Sequence, residues 1–66
     1  RELGARIEAA VLALPGLYRK AIELRHIAGM DHAQVAETLG RSEANSRKIC
    51  ERARALLLQR LAGGER

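Results

Sequence analysis

The sequence predicts a small all-α domain of four helices, the last two joined by a tight turn. Apolar residues recur every three or four positions, as on one face of an amphipathic helix. Glycine or proline interrupts this spacing at Pro15, Gly29 and Gly40. No stretch alternates apolar and polar residues as a strand does. We predict helices at about 3–13, 15–28, 32–39 and 43–61, within one domain, 1–66, that we expect to be a fragment of a longer chain.

The first two helices are separated at Pro15, because proline is tolerated in the first turn of a new helix but not inside one. The predicted inner face of the first helix consists of Leu3, Ile7, Ala10, Val11 and Leu14. That of the second consists of Leu17, Ala21, Leu24 and Ala28, flanked by Tyr18 and Ile22. Gly29 is expected to end the second helix.

The third helix is short and has its own start signal. Asp31 is a candidate N-cap, and Gln34 is placed to complete a capping box. Gly40 stands where a left-handed turn residue is needed. The predicted inner face consists of His32, Val35, Ala36 and Leu39.

The fourth helix is expected to begin after Ser42, a good N-cap. Its predicted inner side consists of Ser46, Ile49, Cys50, Ala53, Leu56 and Leu57. Ser46 is expected to pack a little less well there than an apolar residue, unless its hydroxyl bonds to the carbonyl four residues earlier. Residues 31–61 have the spacing of a helix-turn-helix. Ala36 is the small residue where the two helices cross, Gly40 is the turn glycine, and Ile49 is the apolar anchor in the second helix.

Charge is concentrated on the outer side of the fourth helix. Residues 41–54 contain five basic and two acidic side chains, which is +3 of the chain's net charge of +4. A pI near 10.2 favours an anionic partner. A basic, N-capped helix after a glycine turn is typical of an element presented to DNA.

Several classes of protein are disfavoured. A chain of 66 residues leaves little room for an enzyme cleft, and no Ser, His and Asp set has a catalytic arrangement. The single cysteine forms no intrachain disulfide, and no apolar run approaches the roughly 20 residues that span a bilayer. His26, Asp31, His32 and Cys50 lack the spacing of a zinc module. We predict no enzyme, no metal, no cofactor, no membrane partner and a cytoplasmic location.

Motifs throughout the chain resemble region 4 of sigma-70 family factors, most closely those of the extracytoplasmic-function group. The residues that carry the resemblance are Leu14-Pro15, Arg19, Ala21, Leu24, Gly29, Val35-Ala36-Glu37, Leu39-Gly40, Ser42-Glu43 and Arg52-Ala53-Arg54. The resemblance implies a bacterial domain that reads the promoter minus-35 element and docks on the β flap of RNA polymerase. Asn45-Ser46 and Arg47-Lys48-Ile49 depart from the usual pattern and resemble a subgroup with a SnoaL-like domain after region 4.

A recognition helix enters the major groove by its N-terminal half, which gives the candidate base-reading residues Glu43, Ala44, Asn45, Arg47 and Lys48. Arginine and lysine suit guanine, asparagine suits adenine, glutamate accepts from cytosine N4, and alanine fits a thymine methyl group. The candidate phosphate-binding residues are Arg41, Ser42, Arg52 and Arg54. The alternative is a solvated helix surface in which Glu51 pairs with Arg47 or Arg54.

Leu57, Leu58 and Leu61 give the end of the fourth helix more apolar surface than one core needs. They are candidates for docking on polymerase, an anti-sigma factor or an adjoining regulatory domain. The alternative is that a neighbouring domain normally covers them.

Three classes of function remain open. The first is a promoter-recognition domain of an alternative sigma factor. The second is a helix-turn-helix effector of the response-regulator kind, which usually opens with a Thr-x-x-Glu segment that is missing here. The third is a helical protein-docking module that binds no DNA. Binding to random duplex separates the third class from the others, and dimeric binding to a palindrome identifies the second.

Overall fold

The computed structural model describes residues 2–63, with side chains from residue 4 onward. Within this range the chain forms four helices and no strand. They are α1 (Glu2–Leu12), α2 (residues 16–27, α-helical over Gly16–Ile22 and π-helical over Glu23–Ile27), α3 (His32–Leu39) and α4 (Glu43–Gly63). The predicted all-α class is confirmed, and every predicted boundary lies within two residues of the observed one.

Helix α4 is the centre of the fold because it packs against α1, α2 and α3. One side of it faces a single apolar core, and Val35 and Ala53 are fully buried there. Burying a valine side chain contributes about 1.5–3 kcal/mol. The buried core consists of Val11, Leu14, Ala21, Ile22, Val35, Ile49, Cys50 and Ala53. The other three helices therefore support α4 from one side and leave the opposite side free.

Burial in α1 is concentrated at its C-terminal end, next to the turn into α2. Val11 and Leu14 are buried and Ala10 is half-buried, as predicted. Ile7 is 39% exposed, so its assignment to the inner face is wrong. It lies one helical turn before Val11, beyond the part of α1 where burial is deepest. The Leu3 side chain lies outside the described residues.

The last turn of α2 is wider than an α-helical turn. The Ala28 amide donates to the Glu23 carbonyl, five residues back, at 2.8 Å. Gly29, with φ 76°, then ends the helix, as predicted. Because the widened turn breaks the 3.6-residue period, Ala28 is exposed. Its assignment to the inner stripe is therefore wrong, whereas Ala21 and Ile22 are buried.

Helix α3 begins at a complete capping box. The Asp31 carboxylate accepts from the Gln34 amide at 2.8 Å, and the Gln34 side-chain oxygen accepts from the Asp31 amide at 3.0 Å. These two bonds satisfy backbone donors that a helix start otherwise leaves unpaired. Val35 and Ala36 are buried and Leu39 is half-buried, in agreement with the predicted inner face.

Three residues connect α3 to α4, as the sequence predicts. Gly40 adopts the left-handed conformation (φ 71°, ψ 37°), and the Arg41 amide donates to the Ala36 carbonyl at 2.9 Å. Ser42 caps α4, because its Oγ accepts from the Asn45 amide at 3.1 Å. The turn is thus closed by hydrogen bonds at both ends, which fixes the direction in which α4 leaves α3.

The buried side of α4 contains one polar residue, Ser46. It is fully buried, but its Oγ has no hydrogen-bond partner among residues 2–63. Its Oγ makes no bond to the carbonyl four residues earlier, the exception that the sequence left open. That carbonyl belongs to Ser42 and accepts the Ser46 backbone amide at 2.8 Å. The inner-side assignment of Ser46 is therefore confirmed, with its hydroxyl buried and unsatisfied within the described residues.

Candidate nucleic-acid interface

The structure places all the candidate DNA-contacting residues on the surface. The candidate base-reading residues are exposed; we call them the recognition face: Glu43, Ala44, Asn45, Arg47 and Lys48. The candidate phosphate-binding residues Arg41, Ser42, Arg52 and Arg54 are exposed as well. Arg47 and Lys48 thus point away from the core, as base-reading side chains must.

The start of α4 supplies hydrogen-bond donors beside the recognition face. The Asn45 amide is bonded to Ser42 Oγ. The amides of Glu43 and Ala44 belong to the first turn, which has no intrahelical acceptors for them. The Ser42 hydroxyl, which accepts a bond from Asn45, still has its own proton to donate. This end of the helix therefore combines N–H donors with the positive end of the helix dipole.

Two grooves run along the flanks of α4. The first, the Tyr18 groove, lies between α4 and the beginning of α2. Polar groups from five exposed residues meet the half-buried Tyr18 there. The groove is lined by Leu17, Tyr18, Arg41, Asn45, Lys48, Ile49, Glu51 and Arg52. It therefore joins two candidate base-reading residues to two candidate phosphate-binding residues.

The second groove, the His32 groove, lies on the opposite flank of α4, next to the end of α2 and the start of α3. It is lined by Arg25, His26, His32, Arg47, Cys50, Glu51 and Arg54. Both flanks of α4 are thus cationic, which suits a helix lying in a groove with a phosphate backbone on each side.

One ion pair lies on the recognition face. Arg47 Nη2 donates to Glu43 Oε2 at 3.0 Å, and these side chains are 58% and 51% exposed, respectively. The sequence suggested Glu51 as the partner of Arg47, whereas the structure pairs Arg47 with the acidic residue one turn earlier. The Glu-then-Arg spacing of four residues is visible in the sequence and favours this pair.

Two groups in the His32 groove have surroundings that the sequence does not reveal, although it does predict His32 on the inner face of α3. Arg25 is half-buried, and its Nη1 donates to the Met30 carbonyl at 3.1 Å. His32 Nδ1 is buried and has no hydrogen-bond partner among residues 2–63. Their position beside α4 depends on the widened turn of α2 and on how the helices cross. No local sequence pattern reports either of these.

The three leucines of the candidate docking surface differ in exposure. Leu57 packs against the core, and Leu61 is half-buried next to Arg6, whose Nη2 donates to the Leu61 carbonyl at 3.4 Å. Leu58 is 55% exposed. The apolar surface available at this end of α4 is therefore smaller than the sequence suggested.

The structure shows no arrangement suited to metal binding in the described part of the chain, where no three His, Cys, Asp or Glu side chains cluster suitably. Cys50 is a free, buried thiol on the inner side of α4. Among residues 2–63 no helix has the length and apolar character needed to cross a membrane.

Comparison with protein-family models gives a match to sigma-70, region 4, over residues 4–57. The match includes α3, both cationic grooves and the whole recognition face. It confirms the resemblance found in the sequence, while membership of the extracytoplasmic-function group and of the SnoaL-like subgroup stays a prediction. No curated protein and no solved structure matches the chain.

Proposed function

Since this chain belongs to the sigma-70 region 4 family, we propose that it reads the promoter minus-35 element with the recognition face while it docks on RNA polymerase for transcription initiation. The family is one of DNA-binding sigma factor domains and not of enzymes. The observation that supports reading of the minus-35 element is the exposure of the recognition face at the capped start of α4, between two cationic grooves.

Four side chains of the recognition face have a base-reading role that their chemistry supports. Arg47 and Lys48 donate to guanine O6 and N7, and Asn45 bonds to adenine. Ala44 is exposed and small enough to contact a thymine methyl group. A good bidentate contact discriminates between base pairs by about 1–3 kcal/mol, so two such contacts are enough to select a short element.

The phosphate contacts hold the domain in register without reading sequence. Arg41 and Arg52 line the Tyr18 groove on one flank of α4, and Arg54 lines the His32 groove on the other. Contacts on both flanks fix the rotation of α4 about its own axis. Ser42 adds its hydroxyl and the free amides that follow it.

Polymerase supplies the affinity that a module of this size lacks. Non-specific DNA binding has a Kd of about 10⁻⁴ to 10⁻⁶ M at physiological salt. Tethering to the polymerase β flap raises the effective concentration of the domain at the promoter. We place this docking, or that of an anti-sigma factor, at the C-terminal end of α4, where Leu58 is exposed and Leu57 and Leu61 lie beside it.

A selection from random duplexes tests promoter reading. The 66-residue chain is mixed with bacterial RNA polymerase core and a random duplex pool, and bound sequences are compared with those retained by core alone. We expect a short motif that depends on the chain and that disappears with the Arg47→Ala/Lys48→Ala variant. Equal enrichment with and without the chain would contradict the proposal.

Docking is tested separately from DNA reading. We expect Leu58→Lys to weaken binding of the chain to polymerase core while its binding to random duplex stays the same or increases. The control is Ala55→Lys, which adds the same charge at another exposed position of α4. Equal loss in both variants would count against an apolar contact at Leu58.

A further inference from the structure

The ion pair between Glu43 and Arg47 changes what Glu43 is expected to do. The Glu43 carboxylate accepts from Arg47 at 3.0 Å on the surface proposed to meet base edges. By its chemistry alone, Glu43 is a candidate to accept from cytosine N4. An oxygen of that carboxylate already has a charged donor, and this donor belongs to the residue best suited to guanine.

The geometry of α4 favours this pairing. Glu43 is the first residue of the helix, where a negative charge interacts favourably with the helix dipole. Arg47 lies one turn later, and a glutamate four residues before an arginine is the favourable order for such a pair. The carboxylate therefore restricts Arg47, which otherwise has many rotamers, to orientations in which Nη2 points back toward the start of the helix.

Arginine recognises guanine through two parallel N–H groups in one plane. A guanidinium group has five N–H donors, and a bond from Nη2 to Glu43 leaves others free. Restricting the plane before binding reduces the conformational entropy that a bidentate contact costs. The effect of Glu43 then appears at the base pair that Arg47 reads.

We propose that Glu43 is a positioning residue that orients the Arg47 guanidinium toward a guanine, and that it does not itself read a base. This inference rests on the proposed function, because it requires that the recognition face reads DNA. Its distinguishing consequence is a pair of opposite effects. Removing the carboxylate lowers discrimination at one base pair, and it raises affinity for random duplex because a negative charge facing the phosphates is lost.

The test uses the full 66-residue chain and the duplex obtained by the selection described above. Kd is measured at low salt for that duplex, for its single-base variants and for a random duplex. Arg47→Ala first identifies the guanine position at which discrimination is lost. We expect Glu43→Ala to reduce discrimination at that same position about twofold, the factor expected for an exposed i, i+4 ion pair, while binding to random duplex becomes tighter.

Three further variants make the test specific. Glu37→Ala is the matched control, because Glu37 is exposed on α3, lines neither groove and makes no ion pair within residues 2–63. It should tighten binding to random duplex and leave discrimination unchanged. Glu43→Gln should restore part of the discrimination, because its amide oxygen still accepts from Arg47. In the Arg47→Ala background, Glu43→Ala should have no further effect on discrimination.

The outcomes separate this inference from the function on which it rests. Unchanged discrimination in Glu43→Ala would overturn the positioning role and leave promoter reading intact. If Glu43→Ala lowers discrimination equally in the Arg47→Ala background, Glu43 reads a base directly. That result also overturns the positioning role. If the wild-type chain does not discriminate between duplexes at all, promoter reading itself fails, and the positioning role fails with it.

Discussion

Ser46→Ala is expected to stabilise the domain, although it removes atoms from a fully buried side chain. The Ser46 Oγ has no hydrogen-bond partner among residues 2–63, so folding desolvates this hydroxyl without replacing its hydrogen bonds to water. Leaving such a group unsatisfied costs about 1–3 kcal/mol. The helix propensity of alanine is also more favourable than that of serine, by about 0.5 kcal/mol in a helix interior. The loss of packing around one missing oxygen offsets part of this gain.

The net expectation is a gain of about 1 kcal/mol in the free energy of unfolding, which for a domain of this size raises Tm by roughly 4–8 °C. It is measured by urea and thermal unfolding followed by circular dichroism. The matched control is Ala53→Ser, which places a hydroxyl at another fully buried position of α4 and should lower stability. A second reference, Ser42→Ala, removes the helix cap and should cost about 1 kcal/mol.

The reasoning is refuted if Ser46→Ala lowers the free energy of unfolding. In that case the hydroxyl makes a stabilising hydrogen bond, for which the Ser42 carbonyl is the nearest candidate along the helix. Loss of stability in Ser46→Ala together with no change in Ala53→Ser would also reject the assumption that buried hydroxyls are costly in this core.

The remaining predictions concern DNA binding and the turn before α4. Lys48→Ala should change the order of preference among duplexes, whereas Arg52→Ala should weaken binding to all of them alike and reduce the slope of log K against log salt concentration by about 1. Measuring Kd on a duplex panel at several salt concentrations checks both predictions. Equal losses of affinity in the two variants would contradict the division of roles. Gly40→Ala should lower the free energy of unfolding by about 1–2 kcal/mol, because its φ of 71° is strained for alanine even though no atom lies within 4 Å of the added carbon. The control is Gly4→Ala, at an equally open position in α1, which should raise the free energy of unfolding by about 0.5–1 kcal/mol in the same urea titration. If Gly40→Ala lowers that free energy by less than Gly4→Ala raises it, the result would count against the strain argument.

The sequence predicts the fold well where local rules decide the structure. Helix starts depend on capping chemistry, and the Asp31 box and the Ser42 cap are present as predicted. Gly29 and Gly40 both have positive φ at the ends of their helices, because few other residues adopt that conformation without cost. The inner side of α4 follows the period of 3.6 and is also correct.

The errors arise where tertiary packing changes a local rule. The widened turn at Glu23–Ile27 shifts the phase of α2, exposes Ala28 and places Arg25 against the His32 groove. Exposure of Ile7 depends on where α1 meets its neighbours, which periodicity does not report. The partner of Arg47 was missed for another reason: Glu43 and Glu51 both stand four positions away, and only the order, with glutamate before arginine, favours Glu43.

The bond between Arg6 and the Leu61 carbonyl joins positions separated by 55 residues. Closing a flexible loop of that length costs about 3.5 kcal/mol of chain entropy, whereas α3 and α4 meet across a turn of three residues. The α3–α4 hairpin is therefore expected to form early during folding and α1 to dock late. We also expect α1 to be the first segment to detach from the native protein, so its amides should exchange with solvent sooner than those at the α3–α4 junction.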